Sequence, residues 1–349
     1  MSEWTASVRA LRATGVGSLP GASAREAMSV VTGEFPELVH LPELPARGPG
    51  GDLVGRTAAL LAGVASEFSV ETTPTGWRYA DRPGPAVRRA LSYWREDLDV
   101  FEESCQGATG DLKLQLCGPV TLAASISLRR GERVLSDQGA MRDLVEAHRE
   151  AVVAHITDLR RRLPAARWIL QIDEPAMDAA LRGALPTQSG WGRLTPLEEP
   201  LARAWHRRLA EVVRAGAATP WLHACTGRPP IALALDAGYS GLSGAIDLLR
   251  PADDDALGAA VEGGMTLIAG VVPATAEGIA HAPSAPALVD PIRRLYGRIG
   301  LDDAVLAASV VISPACGLGD LSWASARAAM ALTREAAHVL ADQLDAGPE

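Results

Sequence analysis

WILQIDEP (168–175) is the stretch on which the fold turns. Apart from one Gln, an apolar run ends abruptly on two carboxylates and a proline. A strand covered on both faces reads as such a run, and one that stops on acidic residues delivers them to the edge of a sheet. Working outward, seven more runs of this kind appear: 14–18, 38–43, 112–118, 220–223, 241–246, 267–272 and 310–313. Amphipathic stretches alternate with them, at 52–66, 86–103, 138–162, 200–215, 287–299 and 323–345. Strand and helix alternating eight times predicts parallel βαβ units, and eight such units close a barrel. An open dinucleotide-binding sheet would place G-x-G-x-x-G after the first strand, whereas GVGSLPG (15–21) has the wrong spacing. The expected fold is therefore α/β, a (β/α)8 barrel of one domain over 1–349. The long segment between the second and third strands, and the Gly/Pro-containing 181–198, would decorate it.

Composition agrees. The chain is 48% hydrophobic but only 4% aromatic, so its core should be aliphatic. A net charge of -9 without a clustered basic face argues against nucleic acid as a partner. Arg160, Arg161 and Arg162 sit in a helical pattern and read as a solvated face. No run approaches the roughly 18 apolar residues of a membrane span, and the first residues lack the apolar centre of a secretion signal. The expected location is the cytoplasm. Four cysteines, widely spaced, do not make a disulfide framework.

In a barrel enzyme the working residues follow the strands. The strand ends here are Gly17-Ser18, Glu43, Cys117-Gly118, Asp173-Glu174, His223-Ala224-Cys225, Asp247, Pro273 and Cys316-Gly317. His223 and Cys225, two apart on an extended segment, share a face and reach one ion together. Cys316 would bring a second sulfur, and His/Cys/Cys with an open position is a catalytic zinc set. The alternative is that both cysteines are small buried hydrophobes and His223 a satisfied core histidine. Asp173 and Glu174 are candidate acid–base or ammonium-binding groups; for Glu174 a helix-terminal role competes evenly. Gly17 and Ser18 offer backbone and hydroxyl donors to a carboxylate, or make a plain turn. Glu43 lies in a Pro/Gly-rich loop of the sort that carries function. Cys105 and Cys117 read as structural.

LQIDEPAM (170–177), HAC (223–225) and SPACGLG (313–319), with TGVGSLPG (14–21), HLPELP (40–45) and CGPVTLA (117–123), resemble the catalytic barrel of the cobalamin-independent methionine synthase family. The six motifs run in order through nearly the whole chain, which is too short to hold the family's duplicate N-terminal barrel. The resemblance implies a fold shared with uroporphyrinogen decarboxylase, and zinc held by His223, Cys225 and Cys316. It implies homocysteine as acceptor, with Asp173 and Glu43 near its amino group and Gly17-Ser18 near its amino-acid end. The implied activity is that of a 5-methyltetrahydropteroyltriglutamate–homocysteine S-methyltransferase. Two departures from the family pattern stand out. Ser243 occupies the place of a fourth zinc ligand, a Glu after the sixth strand, with Asp247 nearby. The segment GVVPATAEG (270–278) lacks the proton-donating His expected after the seventh strand, and the next is His281. Other readings are a thiol alkyltransferase fed by a corrinoid protein and a barrel that binds zinc or a thiol without catalysis. Porphyrin decarboxylation is disfavoured by the H-x-C pair and Cys316.

Overall fold

A computed structural model describes residues 12–65, 68–129 and 131–346. One parallel sheet contains eight strands: β1 (Arg12–Ala13), β2 (Val39–His40), β3 (Asp111–Cys117), β4 (Arg167–Asp173), β5 (Ala218–His223), β6 (Gly241–Ala245), β7 (Thr266–Val272) and β8 (Val310–Pro314). Neighbours in sequence are neighbours in the sheet from β2 to β8, and β8 pairs back onto β1. The first two strands meet just beyond their regular segments. Ser18 and Glu43 form a parallel bridge there. Leu19 N–H donates to the Glu43 carbonyl at 2.8 Å and Glu43 N–H to that of Gly17 at 3.1 Å. The sheet thus curls into the expected barrel, joined at the mouth by two of the residues singled out from sequence.

Side chains alternate across each strand. Leu112, Leu114 and Leu116 of β3 face the helices and join the main apolar core, while Lys113 and Gln115 face inward. Low in the barrel, Leu38, Ile169, Trp221, Ile268 and Val311 form a closed apolar plug. Two residues further along the same strands stand His40, Gln171, His223, Gly270 and Ser313. The interior turns from apolar to polar within one step of the pleat. Glycine makes room for the large polar groups: a Cβ on Gly15 would come 2.4 Å from the His40 ring, and one on Gly17 would come 2.5 Å from the Gln115 amide.

The long helices begin at capping side chains. Asp137 caps Gln138–Arg162 and Ser322 caps Trp323–Asp345, both spanning the stretches expected from periodicity. Asp52, expected as the first residue of its helix, is instead the cap of Leu53–Val64. The sequence reading passed over Ala24–Glu34 and several shorter helices, among them Pro119–Ser125 and Ile231–Ala237, whose seven residues are too few to show a period. Arg162 is a correction to the solvated-face reading. Its side chain is 14% exposed and pairs with Asp99, Glu102 and Asp158, tying its helix to Pro85–Ser104. The segment between β2 and β3 adds two helices and a hairpin, Val70–Thr73 with Gly76–Tyr79, over a second apolar cluster beside the barrel. Among the described residues, no helix is long and apolar enough to cross a membrane.

Candidate active site

The C-terminal mouth of the barrel holds a cavity of about 210 Å³ whose wall includes Gly17, Ser18, Asp173, His223, Cys225 and Cys316. Larger hollows of about 590 and 410 Å³ lie away from the strand ends, on the helical flank. A barrel does its chemistry at the strand ends, so the smaller cavity is the candidate site.

On one side of the mouth β5 and β8 bring His223, Cys225 and Cys316 together, with ligand atoms all within 4.8 Å of one another. Both cysteines are free, and their sulfurs lie 3.0 Å apart. The hydrogen bond shared by the two sulfurs holds the Cys316 thiol well below the usual thiol range; burial opposes this and His223 assists. His223 is buried, and its Nδ1 lies 2.8 Å from Ser243 Oγ on the neighbouring strand. Its Nε2 is buried with no hydrogen-bond partner among the described residues. With the proton on Nδ1 and given to Ser243, the lone pair falls on Nε2, the form in which imidazole binds a metal.

The other side is acidic. Asp173 ends β4, and its Oδ1 accepts from Gln171 Nε2 at 2.7 Å. Burial pushes its carboxyl up to about 6, against the pull of His223 and Lys113. Glu43 stands behind Ser18, whose hydroxyl donates to Oε1 at 2.8 Å. Burial pushes Glu43 up to about 7, opposed chiefly by Arg56. That guanidinium is itself buried, 4.3 Å above the Trp94 ring, and donates to the Pro42 carbonyl. Beneath Asp173 lies Lys113, fully buried, donating to the Val16 carbonyl at 2.8 Å and Gln171 Oε1 at 3.0 Å. Burial lowers it to about 7 while Asp173 holds it up.

Glu174 is not brought to the cavity, which corrects its reading as a catalytic group. Asp173 points into the barrel, so its neighbour points out. The Glu174 carboxylate is fully buried and accepts from the backbone N–H groups of Val120 and Thr121, at 2.9 and 2.7 Å, at the start of Pro119–Ser125. His206 Nε2 lies 3.1 Å away, and His206 Nδ1 is 2.8 Å from the Tyr239 hydroxyl. It is a strut between a helix N-terminus and the helix Glu199–Ala215.

The family model for the catalytic domain of the cobalamin-independent synthase matches residues 11–339. The chain belongs to that family. Among solved structures, a B12-independent methionine synthase from Shewanella sp. W3-18-1 in complex with selenomethionine is similar with a TM-score of 0.61 and 12% identity. The match covers 97% of this chain and 99% of that one. At that identity the likeness shows the fold. An apo β-glucosidase covers the same shares of the two chains at 15% identity, but its TM-score of 0.39 carries no argument. None of the curated proteins matches.

Within this synthase barrel the departures noted from sequence acquire places. Ser243 holds the back of His223. Asp247 is exposed on the turn Ile246–Leu248, outside the His/Cys/Cys group. His281 is exposed after a short helix, its Nδ1 2.9 Å from the Glu277 carbonyl, and does not line the cavity. Lys113 and Arg56 were missed. A signal for Lys113 was present: DLKLQLC (111–117) alternates strictly, and in a strand covered on both sides such alternation marks a polar interior.

Proposed function

We propose that this barrel is a single-domain, zinc-dependent S-methyltransferase. It would pass a methyl group from methyltetrahydrofolate or a related donor to the thiol of homocysteine, forming methionine. One observation carries the reading: two cysteine sulfurs converge with a buried imidazole nitrogen that has no hydrogen-bond partner among the described residues, at the mouth of a methionine-synthase-family barrel. This donor set fits zinc, since thiolate and imidazole suit it and three protein ligands leave a position for substrate. His223 would bind through Nε2, and Cys225 and Cys316 through Sγ. When bound, zinc supplies the Lewis acidity that keeps an acceptor thiol deprotonated at neutral pH.

The chain's own residues then orient the acceptor. Asp173 would receive its ammonium group and Glu43 would act on it from behind Ser18, a cation there compensating two carboxylates whose charge burial disfavours. Gly17 and Ser18 form the wall for its amino-acid end. Held in this way, the acceptor sulfur is presented to the methyl group in line, and the barrel contributes orientation. A second reading, transfer from a methylated corrinoid, is favoured by one observation: among the described residues no histidine other than His223 lines the cavity to protonate a folate amine.

The test supplies zinc-loaded protein with homocysteine and, in separate reactions, methyltetrahydrofolate or methylcobalamin. Methionine from the first donor supports the proposal. Methionine from the second alone supports the corrinoid reading. No product from either, with zinc bound, leaves a thiol- or zinc-binding barrel without catalysis.

A further inference from the structure

Beneath the acidic wall, β1, β3 and β4 are cross-tied by groups with no part in the methyl transfer itself. The Val16 carbonyl accepts two hydrogen bonds, from Lys113 Nζ at 2.8 Å and from Gln171 Nε2 at 3.0 Å. Gln171 Nε2 also donates to Asp173 Oδ1 at 2.7 Å, and Gln171 Oε1 accepts from Lys113 at 3.0 Å. Lys113, Gln171 and Asp173 are all at most 5% exposed, so water cannot substitute for a lost partner.

A glutamine amide has two orientations that exchange its oxygen and nitrogen. As it stands, each contact joins a donor to an acceptor. Turned over, the amide oxygen would face both the Val16 carbonyl and the Asp173 carboxylate, and the NH2 group would face an ammonium. The Lys113 contact selects the first orientation. Asp173 then has Oδ1 engaged by the amide, which leaves Oδ2 for a ligand in the cavity it lines. The same amide and ammonium hold the carbonyl directly before Gly17-Ser18.

We propose that Lys113 is a positioning residue whose buried ammonium locks the Gln171 amide and so presets Asp173 for the ammonium group of the acceptor. The inference rests on the reading that Asp173 receives that ammonium group. Lys113 touches no reacting atom; it acts through Gln171.

The test measures calorimetric binding of homocysteine, and of 4-mercaptobutanoate, which lacks only the amino group, to zinc-loaded wild type, Lys113→Met, Gln171→Leu and the double variant. Zinc content should be the same in all four. Homocysteine should bind each single variant about ten- to a hundredfold more weakly, the scale of one hydrogen bond to a charged group. The affinity for 4-mercaptobutanoate should hardly move, and the double variant should bind no worse than the weaker single, as expected of groups acting as a unit. Additive losses, or equal losses for both thiols, would overturn the lock, because a merely structural lysine weakens both alike. Should Lys113→Met not fold, undiminished homocysteine binding by Gln171→Leu overturns it. Wild type that binds neither thiol overturns the functional reading itself.

Discussion

The two sides of the barrel mouth are built on opposite plans. On the β5/β8 side the donors converge on one another: two sulfurs 3.0 Å apart and a buried imidazole nitrogen without a hydrogen-bond partner among the described residues, with Ser243 behind the imidazole. On the β1/β2/β4 side each carboxylate already has a protein donor, Ser18 for Glu43 and Gln171 for Asp173, and a buried cation nearby. On the proposed function, the contrast teaches how one cavity would serve two kinds of ligand. A soft cation needs converging lone pairs and little else. An organic ammonium needs carboxylates held in one geometry, and in a low-dielectric interior that requires a supporting layer.

The largest effect should come from breaking the sulfur side. Replacing Cys316 by Ser is expected to abolish stoichiometric zinc and with it methyl transfer, as read by metal analysis of the purified variant. Retention of a full equivalent of zinc would mean that the metal lies elsewhere. On the acidic side, Asp173→Asn should keep its zinc and raise the acceptor KM about ten- to a hundredfold, the cost of one charge-assisted hydrogen bond. If zinc were lost as KM rose, the two sides would not be independent. Ser243→Ala sharpens the comparison further. Losing the partner of Nδ1 should weaken zinc about tenfold in chelator competition, at the low end for a group that orients a metal-binding imidazole.

The last effect belongs to Glu43, concerns stability and depends on pH. Its carboxyl is raised from 4.5 to about 7 in the folded protein, so between those values the native state binds the extra proton. That contribution is fully present below about pH 4.5 and is lost as pH rises through 7, at most roughly 3 kcal/mol. For metal-free protein, Glu43→Gln should match wild type in urea at pH 5 and exceed it at pH 8. Identical midpoints at both values would show that Arg56 fully compensates the charge.

The same contrast explains what could be read in advance. The convergence of His223, Cys225 and Cys316 was legible because residue types able to bind a metal are few and two of them, two apart on an extended segment, share a face. Asp173 and Glu174 were not separable, since adjacent acids look alike until the pleat sends one inward and the other to the start of Pro119–Ser125. Lys113 and Arg56 went unnoticed because a lone cation in an apolar run carries no mark of its partners; Val16, Gln171 and Asp173 are 58 to 97 residues away or reached only through the network.

By itself the order of apolar runs and the residues that end them determined the barrel and the end at which it works, because strand period and strand termini are local properties. Which of those end residues face one another, and which buried cations hold the carboxylates, was decided only when the sheet curled. The pleat assigns each side chain to the interior or the helix layer, and closing the ring brings together donors from strands far apart in sequence. Local pattern carries no trace of either step.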